Sequence, residues 1–106
     1  MGPLEGIIYE KLSTAFAPEF LGVTNESYMH SVPEGSESHF KLVVVSEQFL
    51  SMRSVVRHQA IYSLLADELA GPVHALALHT YTALEWSEKQ HQAPDSPNCL
   101  GGSKLS

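Results

Sequence analysis

Two histidines in this chain lie where a pair of neighbouring strands would bring them together. His74 stands at the start of the apolar run VHALALHT, and His39 stands near the start of a second run, SHFKLVVVS. Imidazole is the most common side-chain ligand of protein-bound metals, so two converging histidines indicate a metal site. The alternative is that each ring only satisfies a backbone group at the end of its strand.

The apolar pattern predicts the elements that would position these histidines. Three helices and three strands are expected, in the order α-β-β-α-β-α, from helical spacing in some segments and strand-like runs in others. The predicted helices cover residues 3 to 16, 53 to 70 and 82 to 89; the predicted strands cover residues 20 to 28, 38 to 46 and 73 to 80; a polar loop covers residues 30 to 36. Leu84 and Trp86 are the residues of the last helix expected to pack on the domain.

The connections between these elements predict a mixed three-stranded sheet in an α+β fold. A short loop suits an antiparallel pairing of the first two strands. A strand, a helix and a strand joined by short links form a right-handed crossover, so the second and third strands should be parallel. Because parallel neighbours begin at one end of the sheet, His39 and His74 should lie about 5 Å apart across the ladder. The third strand is apolar on both faces, which is typical of a strand covered on both sides or paired in parallel.

Composition limits the functions that this chain could have. Its 106 residues suit one domain, and the net charge of −6 argues against a broad phosphate-binding surface. The single cysteine, Cys99, excludes an intramolecular disulfide and an all-cysteine metal site within one chain. We found no segment with the character of a signal peptide or a membrane span, so we expect a cytoplasmic protein without membrane contact.

Enzymatic motifs are missing from the sequence. It has no nucleophile elbow, phosphate-binding loop, zinc-protease motif or dinucleotide fingerprint. Ser36, Ser38 and His39 are close in sequence, but no third group is positioned to complete a catalytic triad. We therefore expect a protein without catalytic activity. The remaining histidines, His30, His79 and His91, are expected in solvated positions.

Three segments together resemble the BolA family, whose members are linked to stress response and iron-sulfur traffic. They are VHALALHTYTALEW, GSESHFKLVVVS and the Arg57-His58 pair at the start of the second predicted helix. The resemblance covers residues 4 to 90 and implies a fold similar to the class II KH fold of nucleic-acid-binding proteins. We accordingly expect a BolA-like domain over residues 1 to 91. The polar segment over residues 92 to 106 has little to bury and is predicted to be a disordered tail.

The resemblance also implies a role for the two histidines. His74 and His39 match the positions that supply the family's ligands to a 2Fe-2S cluster shared with a monothiol glutaredoxin. The glutaredoxin thiolate and glutathione would complete the ligand set, so the isolated chain is expected to be a monomer without a cluster. Imidazole is a neutral donor that raises the potential of a cluster, which suits cluster transfer or iron and redox sensing.

The main alternative is a DNA-binding transcriptional regulator of cell morphology and stationary-phase growth, acting through the KH-like fold. The candidate contacts to phosphate are Arg53, Arg57, His58 and Lys41. Gln59 replaces a basic residue that usually follows the family's Arg-His pair, Ser51 replaces a glycine, and the GxxG loop of KH domains is missing. The two roles are compatible, because a bound cluster could control access to the helix start.

A structural role for Arg57 and His58 is a further alternative. On this interpretation they cap neighbouring elements or form ion pairs, which contribute little when exposed. The carboxylates considered as their partners are Glu26, Glu37, Asp67 and Glu68.

Overall fold

The structure is a computed structural model, and it describes residues 2–27 and 36–95. Its elements follow the predicted order: α1 (Pro3–Phe16), β1 (Phe20–Asn25), β2 (His39–Val45), α2 (Ser54–Leu64), α3 (Ala66–Ala70), β3 (Ala75–Tyr81) and α4 (Ala83–Glu88). The sheet has the strand order β1-β2-β3, with β2 antiparallel to β1 and parallel to β3. The α+β fold with a mixed three-stranded sheet is therefore confirmed. No helix among the described residues is long and apolar enough to cross a membrane.

Helix α1 has the bounds that the sequence predicts. Pro3 occupies the first helical turn, where its missing N–H costs no hydrogen bond. The helix ends at Phe16, and its C-cap Ala17, directly before Pro18, adopts the left-handed conformation with φ 43°. Ile8, Leu12 and Phe16 recur every four residues and are buried, so one face of α1 packs on the sheet.

The two faces of the sheet have different roles. Phe40, Leu42 and Val44 of β2 are buried in the main core under α1 and α2. The alternate residues Val43 and Val45 lie on the opposite face, which we call the outer face, because successive side chains of a strand point to opposite sides. There they form a small second cluster with Tyr81, against which Trp86 and Ala93 pack.

The second predicted helix is divided in the structure. Leu65 separates α2 from α3 and has φ −101° and ψ 23°, outside the helical region. Its N–H still bonds the carbonyl of Ile61 at 2.9 Å, and its side chain is fully buried. The apolar spacing therefore continues across the break, which is why the sequence pattern predicted one helix. A 3-10 helix at Glu47–Ser51, N-capped by the Ser46 hydroxyl, was not predicted.

Strand β3 is an edge strand. It begins at Ala75, two residues later than predicted, and its first residue is exposed while only Thr80 and Tyr81 are buried. Of the two explanations for its apolar faces, parallel pairing is confirmed and coverage on both sides is wrong. The reason is that residues 76–79, which alternate between the two faces, are only half-buried, so neither face is fully covered. His79, expected in a solvated turn, lies within β3 and is half-buried.

The end of the domain is fixed by α4. Thr82 and Glu85 form the predicted capping box, with reciprocal hydrogen bonds of 3.2 and 2.8 Å. Trp86 stacks on Phe20 at a centroid distance of 5.3 Å, whereas Leu84 is 69% exposed, so its predicted packing is wrong.

The remaining boundaries fall partly outside the described residues. Strand β1 ends at Asn25 rather than at residue 28, and the predicted loop residues 30 to 35 are not described. Of the predicted tail, residues 92 to 95 are described. Within it, Ala93 packs on the second cluster.

Candidate metal centre and the residues around it

The two predicted metal ligands lie side by side at one end of the sheet. The ring centroids of His39 and His74 are 6.0 Å apart, with the rings at 77° to each other. The predicted convergence of the two side chains is therefore confirmed. His39 is the first residue of β2 and is half-buried, whereas His74 precedes β3 and is exposed. An exposed imidazole beside a second one can be reached by a ligand or a partner from solvent.

Ser38 positions both histidines. Its carbonyl accepts hydrogen bonds from the N–H groups of His74 at 2.7 Å and Ala75 at 3.2 Å, which fixes the chain entering β3. Its hydroxyl is 2.8 Å from Nδ1 of His39. In the tautomer with the proton on Nδ1, this oxygen accepts that proton's hydrogen bond and the lone pair lies on Nε2. Metal-ligating histidines usually have such a partner on the other ring nitrogen.

The available donors define what this site could bind. Among residues 2–27 and 36–95, no group of three or more histidine, cysteine or acidic side chains is arranged to hold a metal ion. The site therefore offers two imidazole nitrogens, His39 and His74. Two imidazoles on one iron are a known donor set for a 2Fe-2S cluster when thiolates bind the other iron. The residues present thus fit half of such a ligand set, and thiolates would have to come from another molecule.

Arg57 is buried and forms part of the structural framework. Its side chain donates to the backbone carbonyls of Met52, Phe49 and Thr80 at 2.9 to 3.2 Å. It also forms a two-point contact with Glu85, with Nη1 at 2.7 Å and Nη2 at 3.2 Å from the carboxylate. These contacts place the guanidinium inside the domain, away from any phosphate. None of the four carboxylates considered as partners from the sequence pairs with it; the actual ion-pair partner is Glu85.

The contact with Arg57 also affects the pKa of the Glu85 carboxylate. The hydrogen bond from Arg57 and then that from the Thr82 backbone hold the pKa of Glu85 below its usual range. Glu85 was recognised in the sequence only as part of a helix cap. It also joins α4 to α2 and β3, because the guanidinium of Arg57 in α2 bonds both Glu85 and the Thr80 carbonyl of β3.

The other candidate phosphate contacts do not form one surface. Arg53 is exposed at the N-cap of α2, and His58 is half-buried one turn further along. Lys41 alternates with the core residue Leu42 and therefore lies on the outer face of the sheet, opposite α2. A duplex contacting the start of α2 would not contact Lys41 through the same face of the domain.

Comparison with known proteins agrees with this fold. The family profile described as BolA-like protein matches residues 12–85. The chain belongs to the BolA family. It is 56% identical to the DNA-binding transcriptional regulator BolA of Vibrio cholerae over 97% of both chains. It is 55% identical to the Escherichia coli protein of the same name, over 92% of this chain and 93% of that one. The solution structure of mouse BolA1 superposes with a TM-score of 0.81 at 48% identity, covering 95% of this chain and 81% of that one.

The match to the BolA family includes both histidines, Arg57 and Glu85, but begins within α1. The bacterial relatives are named as regulators rather than as enzymes. The sequence did not indicate the roles of two residues near the histidine pair. Ser38 orients the histidines, and Glu37 contacts the start of α1. Ser38 could have been recognised from the sequence, because it directly precedes the candidate ligand His39. Glu37 could not, because its contacts are with residues far away in the sequence.

Proposed function

We propose that this BolA-family protein binds a monothiol glutaredoxin and shares a 2Fe-2S cluster with it, using His74 and His39 as ligands. The observation that carries the proposal is the pair of imidazoles 6.0 Å apart, one of them exposed, at one end of the sheet. Ser38 supports the assignment, because its hydroxyl contacts the ring nitrogen of His39 that would not bind iron.

The donor chemistry explains why a partner is needed. The described residues contain no cysteine, and a 2Fe-2S cluster needs four ligands. The glutaredoxin thiolate and glutathione supply the remaining donors in this proposal. Imidazole binds iron only when its ring nitrogen is deprotonated, so the shared cluster should be lost when the histidines become protonated. Such a cluster suits transfer to another protein or sensing of iron and redox state.

The test is anaerobic reconstitution of this protein with a monothiol glutaredoxin and glutathione. We expect a visible absorbance and circular dichroism spectrum that differs from that of the glutaredoxin alone. His74→Ala should abolish the difference, and His39→Ala should make the cluster labile. His91→Ala is the matched control, since His91 lies against Trp86 at the opposite end of β2. An unchanged spectrum of the complex containing His74→Ala would refute the ligand assignment.

A second candidate function is DNA-binding regulation of transcription. It is favoured by the names of the Vibrio cholerae and Escherichia coli relatives, both called DNA-binding transcriptional regulator BolA. The exposed Arg53 and the neighbouring His58 at the start of α2 are the phosphate contacts in this proposal, with Lys41 on the other face as a separate contact. The net charge of −6 restricts such binding to a local patch.

Salt-dependent DNA binding tests this candidate. Arg53→Ala should weaken binding to all sequences and reduce the slope of log K against log salt by about 0.9 for each phosphate contact removed. Lys11→Ala removes the same charge from α1, where Lys11 pairs with Glu68, and is the control. A site at the start of α2 would be contradicted if the protein bound no DNA at low salt. It would also be contradicted if both variants lost the same amount of DNA affinity.

A further inference from the structure

The N-terminus of α1 is capped by a side chain from another part of the chain. The first N–H groups of a helix have no partners within it, and the N-cap residue Gly2 has no side chain to satisfy them. The Glu37 carboxylate accepts hydrogen bonds from the N–H groups of Leu4 at 3.2 Å and Glu5 at 3.0 Å. A carboxylate is favoured there because the helix dipole is positive at this end.

Gly2 leaves the space that this contact requires. A Cβ atom added at Gly2 would collide with the carboxylate of Glu37. The backbone of Gly2 has φ −76° and ψ 165°, a conformation open to any residue, so glycine is not needed there for its conformational freedom. A side chain at this position would require the carboxylate of Glu37 to shift from the place it now occupies.

Glu37 directly precedes the residue that positions the histidines. Ser38 accepts the His74 N–H through its carbonyl and contacts the His39 ring through its hydroxyl. Glu37, Ser38 and His74 line one cleft of about 480 Å³ together with the first turn of α1. Residues 36–38 belong to no strand or helix, so their position depends on side-chain contacts as well as on the backbone bonds of Ser38 to His74 and Ala75.

Those contacts reach the segment from two sides. On the β1 side, the Ser27 hydroxyl accepts the Ser38 N–H at 2.9 Å, and the Asn25 side chain donates to the Ser36 carbonyl at 3.0 Å. On the helix side, the contact is Glu37 with the amides of Leu4 and Glu5. Loss of Glu37 would leave Ser38 held from the β1 side and by its backbone bonds to His74 and Ala75, without a contact to α1.

We propose that Glu37 is a positioning residue that holds Ser38, and through it the His39 and His74 pair, at a fixed place against α1. The spacing of the two rings is then a property of the isolated chain, set by Glu37 in addition to the backbone bonds of Ser38 to His74 and Ala75. The consequence for a shared cluster rests on the function proposed above, whereas the positioning itself does not.

The first test uses the isolated protein without a cluster. With ring-labelled histidine, wild-type protein should show a nuclear Overhauser contact between the two imidazoles, which are 6.0 Å apart between centroids. Glu37→Ala should weaken or abolish this contact, and Gly2→Ala should do the same by displacing the carboxylate. Glu10→Gln, which removes a charge from an exposed position of the same helix, should leave it unchanged. An unaltered contact in both Glu37→Ala and Gly2→Ala would overturn the proposal.

A rescue variant separates positioning from simple capping. In Gly2→Ser/Glu37→Ala, the new serine can cap α1 locally, and the alanine removes the collision. The melting temperature should return toward wild type, while the contact between the imidazoles should stay weak. Recovery of that contact along with the melting temperature would show that Glu37 acts only as a helix cap, and would overturn the positioning role.

The second test uses the reconstituted complex with glutaredoxin. Glu37→Ala should shorten the lifetime of the mixed cluster against a chelator by about tenfold, as loss of a residue supporting the ligands does. An unchanged lifetime would overturn the link between positioning and the cluster. If wild-type protein forms no mixed cluster while the ring contact responds as expected, the proposed function fails and the positioning role of Glu37 stands.

Discussion

Replacement of Arg57 should be among the most destabilising single changes in this domain. The side chain is 8% exposed and donates to three backbone carbonyls as well as to Glu85. Arg57→Ala removes all of these donors at once. A buried polar group that loses its partner costs about 1 to 3 kcal/mol, and water entering the space offsets part of that cost. The Glu85 side chain is 44% exposed, so loss of the ion pair itself adds little.

The expected loss in the free energy of unfolding is about 3 to 5 kcal/mol, because three backbone carbonyls lose a charged donor, each such bond contributes about 1.5 to 3 kcal/mol, and water offsets part of the loss. At about 4 °C or more per kcal/mol for a domain of this size, the melting temperature should fall by about 12 °C or more. Arg57→Lys keeps the charge but cannot form the same planar set of bonds, so its loss should be intermediate. Arg53→Ala, at an exposed position of the same helix start, should change stability by less than about 0.5 kcal/mol.

Urea unfolding measured by two probes is the assay. Far-ultraviolet circular dichroism reports the whole fold, and fluorescence of Trp86, the only tryptophan, reports the packing of α4. The unfolding midpoint of Arg57→Ala should move to lower urea with both probes. The reason is that the carbonyls bonded by Arg57 lie in β3 and in the segment before α2, and not only beside α4. A decrease in the free energy of unfolding of less than about 1 kcal/mol would refute the reasoning, since a single ordinary hydrogen bond contributes that much.

Two further predictions concern the stability of the domain at low pH. Because the pKa of Glu85 is lowered from 4.5, mainly by Arg57, its contribution to stability is present above pH 4.5 and lost as the pH falls through the lower folded value. The difference in unfolding free energy between wild type and Glu85→Gln should therefore narrow in acid; a constant difference would contradict the pairing. Burial, with a smaller effect of Lys41, lowers the pKa of His79 from 6.5, so protonation favours unfolding and stability falls as the pH drops below 6.5. In urea titrations at a series of pH values, His79→Gln should make the free energy of unfolding less dependent on pH below 6.5. An unchanged pH dependence would show that other groups cause it.

The sequence alone determined the order of elements and the end of the sheet at which both histidines lie. Helical spacing, Pro18 and the Thr82 capping box are local signals, and local hydrogen bonds and sterics decide what they form. The common location of His39 and His74 required one further rule: strands joined through a helix by short links are parallel, so both begin at the same end of the sheet. The register that places the two rings side by side, with His39 opposite Ala75, came only from the structure.

Only the tertiary structure decided which partners the charged residues found. Arg57 bonds Glu85 from 28 residues away, and Glu37 caps α1 from 32 and 33 residues away. Such contacts form when separately specified elements pack, so no spacing along the chain indicates them. The exposure of β3 has the same origin, because an edge strand and a covered strand can carry the same apolar pattern. A strand's period fixes which residues share a face, whereas the packing of the helices decides which face meets water.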